Sequence, residues 1–168
     1  MSRFLEEMEE CVPALRRYAR ALTQDIDWAD DLVQDCLERA IRKSSLWKPS
    51  GPLRAWLFRI LVNLWRNELR HRRRAPDNAP LSSVMVEPQV PSASPSRLAF
   101  AETARAIQTL PSEQREALLL VAVEGMSYTE AASVLEVPLG TLMSRLGRAR
   151  ATLRSLTEEN GSHLRALK

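Results

Sequence analysis

Residues 75–96, reading APDNAPLSSVMVEPQVPSASPS, carry five of the ten prolines in a chain of 168 residues. Each proline removes a backbone donor and fixes φ near −65°, so neither a continuous helix nor an inner strand can run through this stretch. Serines and small residues fill much of the rest, and no helical period survives. The segment 75–97 therefore reads as a flexible linker. It divides the chain into one block at 1–74 and another at 98–160, each of which must build its own apolar face.

Both blocks read as wholly helical, giving an all-α chain of two small domains. No run of alternating apolar residues with an Asn-Gly turn between two such runs is seen. In the first block, Val12-Pro13 to Leu22 makes a short helix carrying Leu15, Tyr18, Ala19 and Leu22. Asp27 is placed to cap a second helix, with Asp30 and Asp31 near its positive end. Along that helix Leu32, Val33, Cys36, Leu37, Ala40 and Ile41 form a broad apolar stripe. Lys48-Pro49-Ser50-Gly51-Pro52 reads as a turn. A long helix follows, with Leu53, Trp56, Leu57, Ile60, Leu61 and Leu64 inward and a cationic end at 66–74. Of the tryptophans near it, Trp56 lies on the stripe, while Trp47 and Trp65 stay open between core and base stacking.

The second block begins with a helix from Leu98 to Leu110, and Pro111-Ser112 opens another ending at Gly125. Ser127-Tyr128-Thr129-Glu130 has the form of a capping box, starting a short helix that stops at Leu135. After the turn at Glu136-Val137-Pro138, a helix runs from 139 to 156, with Leu139, Leu142, Leu146, Ala149, Leu153 and Leu156 as its apolar stripe. A short capped helix, a tight turn and a second helix make a helix-turn-helix, which presents its second helix to the DNA major groove. Between 139 and 155 stand Arg145, Arg148, Arg150 and Arg154 with no acid among them. Solvated helix faces ordinarily mix signs, because i,i+4 pairs favour it. A one-signed face after a capped helix points to DNA. Ser144, Arg145 and Arg148 are the foremost contacts, with Thr141 and Met143 beside them. The amide end at Ser127 and Tyr128 can hold a phosphate.

Charge and composition exclude other classes. A pI near 9.2 with clustered arginines fits a polyanion partner. The N-terminal Met-Ser-Arg-Phe-Leu-Glu-Glu-Met-Glu-Glu lacks the apolar core of a signal peptide. The longest apolar run, Ala117 to Val123, is far short of a membrane span. Cys11 and Cys36 do not match zinc spacings and read as free thiols in a reducing cytoplasm. With no P-loop, metal-ligand cluster or nucleophile with a base, no cofactor, metal or catalysis is expected. Asp30, Asp31 and Asp35 are close enough to suggest a magnesium-dependent nuclease, but a helix end explains them better.

Val137-Pro138-Leu139-Gly140-Thr141-Leu142-Met143-Ser144-Arg145-Leu146-Gly147-Arg148-Ala149-Arg150 resembles the VPxGTVxSRLxRAR signature of the C-terminal domain of extracytoplasmic-function sigma factors. Leu110-Pro111, Arg115-Glu116-Ala117 and Glu124 to Glu130 fit the same domain. Ala29 to Asp35 and Leu53 to Ile60 resemble the N-terminal one. The resemblance implies that Asp31, Gln34, Asp35, Glu38, Arg39 and Arg42 bind the clamp of core RNA polymerase. It implies that Asn63, Arg66, Asn67 and Arg70 read and melt the minus-ten element, and that the helix-turn-helix reads the minus-thirty-five element. It also implies control by an anti-sigma factor. Met143, Gly147 and Asn67 depart from the residues frequent in the family. The stretch 12–20 resembles the general-stress subgroup of alphaproteobacteria. The rival is a stand-alone helix-turn-helix regulator, which would normally dimerise; no heptad seam is visible here, so a monomer is expected.

Overall fold

A computed structural model describes residues 2–47, 51–74 and 95–166, with side chains described at 3–47, 51–74 and 101–158. Residues 75–94 of the linker expected at 75–97, and the turn residues 48–50, lie outside the described residues. The described chain is all helical: α1 (Ser2–Thr23), α2 (Ile26–Arg42), a 3-10 turn (Ser44–Leu46), α3 (Leu53–Arg74), α4 (Pro95–Thr109), α5 (Ser112–Ala122), α6 (Tyr128–Leu135) and α7 (Leu139–Ala166). No described helix is long and apolar enough to cross a membrane.

The first helix departs from expectation. It starts ten residues before Val12 and carries Pro13 inside it. Phe4, Met8, Cys11, Leu15, Tyr18 and Leu22 recur at alternating steps of four and three, the spacing of one helix face. All but Cys11 are buried. That stripe outweighs the hydrogen bond which Pro13 removes from the ladder. In the second helix the cap is Asp25 and not the expected Asp27: the Asp25 carboxylate accepts from the Trp28 amide at 2.9 Å, and Asp27 is the second residue of the helix. Ile41 points outward, 45% exposed.

The buried face of α3 is Leu53, Leu57, Phe58, Leu61, Val62 and Trp65, which keeps Leu53, Leu57 and Leu61 of the expected stripe and replaces Trp56, Ile60 and Leu64. Those three are half-buried and pack at its margin. The change arises because α3 is covered twice, by α1 and α2 on one side and by α6 on another. Trp65 is therefore core, at 1% exposure. Trp47 and Trp56 pack around Phe4 at ring separations of 5.6 and 6.4 Å.

The second unit begins at Pro95, earlier than expected, with proline at the first helical position where its missing amide costs nothing. Here α5 and α6 pack on α7 through Leu118, Leu119, Val134 and Leu135 together with Leu142, Leu146 and Ala149. Leu139, expected inside, is 46% exposed, and α7 runs ten residues beyond the expected end at 156.

The two units are not separate. Buried residues of α1 and α3 belong to one apolar cluster with those of α5 and α6. Tyr18, with no exposed surface, donates its hydroxyl to the Glu116 carbonyl at 3.2 Å across this seam. Arg115 donates to the carbonyls of Leu22, Gln108 and Leu110, tying the ends of α1 and α4 together. Burial lowers its pKa.

Cys36 is fully buried, donates to the Leu57 carbonyl at 3.4 Å and has its pKa pushed up to about 12 by burial. Since the thiolate is the nucleophile, native protein at pH 8 should leave Cys36 unmodified by iodoacetamide. Labelling of both cysteines should follow in denaturing urea, as read by intact mass; rapid native labelling of Cys36 would contradict the packing of α2 on α3.

Candidate nucleic-acid interface

The helix-turn-helix is built by local chemistry that the sequence states openly. Ser127 accepts from the Glu130 amide at 3.1 Å, and the Glu130 carboxylate accepts from the Ser127 amide at 2.9 Å, so both halves of the capping box are present. The short α6 ends at Glu136, which takes a left-handed conformation at φ 56°, an unusual choice for a non-glycine residue. The turn is closed by hydrogen bonds from the Val137 amide to Ala132 and from the Leu142 amide to Pro138.

On α7 the apolar residues Leu142, Leu146 and Ala149 are buried, which turns Met143, Ser144, Gly147, Arg148, Ala151 and Thr152 to the surface. The expected contacts Ser127, Tyr128, Met143, Ser144 and Arg148 are all exposed, whereas Thr141 is half-buried. The four arginines divide. Arg148 and Arg154 have no side-chain partner among the described residues. Arg150 donates to the Tyr128 hydroxyl at 3.1 Å. Arg145 is folded back beside Glu113 at 3.6 Å, and its side chain is only 17% exposed. Arg145 is thus turned toward α5 and differs from Arg148, which is exposed. An all-positive sequence run cannot reveal which of its members an acid from another helix holds.

The six residues expected to meet the polymerase clamp, Asp31, Gln34, Asp35, Glu38, Arg39 and Arg42, are all exposed on one face of α2. Gln34 and Arg42 both bond Glu38, at 3.2 and 3.3 Å. Ile41 and Leu46 stand exposed beside them.

The set expected at the minus-ten element lies on a single face of α3 but meets different surroundings. Asn67 and Arg70 are exposed and bonded to one another. Asn63 and Arg66 are half-buried. Arg66 donates from Nε to Glu116 Oε1 at 3.0 Å and lies at 3.5 Å from the Leu135 carbonyl. The Glu116 hydrogen bond holds the Arg66 guanidinium further up than usual. Beside it Arg59 donates to the carbonyl and hydroxyl of Ser133. The second unit therefore covers part of the face on which the first unit's expected DNA contacts sit. Sequence reasoning missed Glu116, Glu124, Arg17 and Arg54, which form the rest of that seam; nothing in local spacing distinguishes them from surface charges.

Comparison with known proteins agrees with both halves of this arrangement. Residues 8–62 match the family described as the Sigma2 domain of PhyR, and residues 100–153 match Sigma-70, region 4. The chain is 40% identical over 157 residues to the ECF RNA polymerase sigma factor EcfG of Rhodopseudomonas palustris, covering 94% of this chain and 86% of that protein. Among solved structures, it is similar to the sigma factor RpoE of Bartonella quintana, crystallised with the anti-sigma factor NepR. That likeness has a TM-score of 0.80 and 34% identity over 94% of this chain and 98% of the other. It is similar also to CnrH in complex with the cytosolic domain of CnrY, with a TM-score of 0.71 and 31% identity over 95% and 90% of the two chains.

Replacing Ser127 by alanine removes one half of the capping box. A loss of about 1 kcal/mol of stability is expected, measured as a lower urea midpoint with unchanged slope. A loss within error would mean that packing alone holds α6 in place.

Proposed function

The chain belongs to the extracytoplasmic-function sigma factors of RNA polymerase, and from that premise we propose a role for each of its exposed faces. The protein binds core RNA polymerase and directs promoter-specific initiation. The polar face of α2, with Asp31, Gln34, Asp35, Glu38, Arg39 and Arg42, docks on the polymerase clamp. Asn63, Arg66, Asn67 and Arg70 engage the minus-ten element. The exposed face of α7 enters the major groove at the minus-thirty-five element, with Met143, Ser144 and Arg148 nearest the bases. Ser127 and Tyr128 hold the backbone at the start of α6. The observation that carries this reading is the division of α7 into a buried apolar side and an outward side bearing exposed Met143, Ser144 and Arg148.

The physics of recognition explains why one such helix is insufficient. A single module buries roughly 600–1,000 Å² on DNA, too little for selective binding at physiological salt. Two reading units on one chain, held by a larger partner, meet the same need that other regulators meet by dimerising. Met143 offers an apolar end where an arginine would grip guanine, which favours contact with a thymine methyl. The likeness to sigma factors solved with anti-sigma partners supports anti-sigma control of this chain as well, and the likeness to EcfG supports a general stress response.

In transcription with sigma-free core polymerase on pooled genomic promoter fragments, addition of the protein should give transcripts starting at discrete sites. Arg148→Ala should lower initiation at those sites roughly ten-fold, within the range of about 1–3 kcal/mol for an arginine at a base edge. Silence with core, together with tight binding of the protein alone to duplex DNA, would replace this reading with a stand-alone regulator.

A further inference from the structure

The end of α3 runs out of apolar support before it runs out of helix. Leu69 is its last apolar residue to pack on the core, and Arg70, His71, Arg72, Arg73 and Arg74 follow, all exposed. Cations suit the negative end of a helix. Arg70 with Arg73 and Arg74, however, sets like charges at three- and four-residue steps, which works against the final turn. A stacked contact counters this. The Arg72 guanidinium lies over the Trp28 ring at 3.8 Å from its centroid, and Arg72 Nε donates to Glu68 Oε1, one turn back, at 3.0 Å. Trp28 is itself well anchored: its side chain is half-buried against the core, and its amide is held by the Asp25 cap of α2.

Seven residues make nearly two helical turns, so Phe58, Trp65 and Arg72 lie on one side of α3. The first two are buried, and Arg72 takes the next place on that side with the Trp28 ring beneath it. Asn63 stands two residues before Trp65, about 200° round the helix. Asn67, Arg70 and Arg74 follow it at steps of four, three and four, on the side opposite the stack. We infer that Trp28 and Arg72 are positioning residues for promoter binding, whose stack holds the last turn of α3 so that Arg74 joins Asn63, Asn67 and Arg70 on one DNA-facing line. The inference deepens, and rests on, the reading of that face as the minus-ten contact.

A cation on an aromatic ring suits this place better than an apolar contact. A guanidinium is weakly hydrated and drawn to the negative face of a ring, so Arg72 settles on Trp28 while keeping its charge. A leucine there would anchor the turn but take one charge from the cationic end that draws a strand in. With its last turn held, α3 offers Arg70 and Arg74 to the backbone in fixed directions, about 6 Å apart along the axis at 1.5 Å per residue. A loose turn would let Arg74 sample many directions, and each contact would then cost ordering entropy. Trp28 acts through Arg72, and Arg72 acts through the turn it holds.

The salt dependence of promoter binding separates positioning from mere bracing, because Trp28→Ala removes no charge. The full chain with core polymerase is bound to a promoter fragment recovered by core-dependent transcription, and log affinity is followed against log salt concentration. Trp28→Ala should lower the slope by about one, the phosphate contact of Arg74, and weaken binding roughly five-fold. Trp28→Phe, which keeps a ring face, should return both to the parent values. Arg74→Gln should give the same loss alone, and adding Trp28→Ala or the exposed-site change Arg72→Gln should take nothing further. Amide exchange at 71–74 in the free chain should quicken roughly ten-fold in Trp28→Ala and in Arg72→Gln, and keep the parent rate in Trp28→Phe. Quicker exchange with an unchanged slope would leave only a structural brace and overturn the inference, as would unchanged exchange in both variants. Weaker binding of Trp28→Ala to core alone would place Trp28 on the polymerase face, with the same consequence. If the parent gives no core-dependent promoter complex, the minus-ten reading fails and the positioning role with it, while exchange still reports the stack.

Discussion

Glu116 and Glu124 are the two buried charged residues of the described chain, and each is met by guanidinium groups that start some fifty to more than a hundred residues away in sequence. A buried carboxylate without a partner carries a penalty large enough to reorganise a small protein, and breaking one side of such a pair costs about 3–5 kcal/mol when both groups are buried. The arginines here keep part of their surface in water, which softens that figure. Their presence still dictates the geometry. With Glu124 bound to α1 and α3 at once, the end of α5 is pinned against the first unit, and α6 is drawn onto α3.

The rest of the arrangement follows from that pinning. With α6 over α3, Phe58, Val62 and Trp65 become core in place of Trp56, Ile60 and Leu64. The hydroxyl of Tyr18 finds an acceptor in α5, and Arg115 closes the ends of α1 and α4. Two surfaces stay clear of the seam: the outer face of α2 and the outer face of α7. These are the two faces proposed above to meet polymerase and the minus-thirty-five element, whereas the proposed minus-ten face on α3 is partly covered by the second unit.

How far these features could be read in advance depends on the range of the forces involved. The capping box at Ser127 and Glu130 was legible because its donors and acceptors lie within four residues. The outward face of α7 was legible because buried leucines at three- and four-residue steps leave only one side for arginines. The six α2 residues that family resemblance singles out are exposed on one face. The start of α1 lies ten residues before the expected one because Phe4, Met8 and Cys11 continue the spacing of Leu15, Tyr18 and Leu22, a stripe interrupted in sequence by acids and by Pro13.

Other features had no local signal. Arg145 and Arg148 look alike in sequence, yet one lies beside Glu113 and the other is open to solvent. Leu139 and Ile41 sit on apolar stripes but beyond the edge of any neighbour. Sequence by itself determined the helices, the helix-turn-helix, the charge of its reading face and the family, because periodicity, capping and clustered arginines act over a turn or two of chain. Tertiary structure alone decided which face of α3 is buried, which arginines are spoken for and that the two units close on each other, because those outcomes depend on carboxylates and apolar faces brought together from distant parts of the chain.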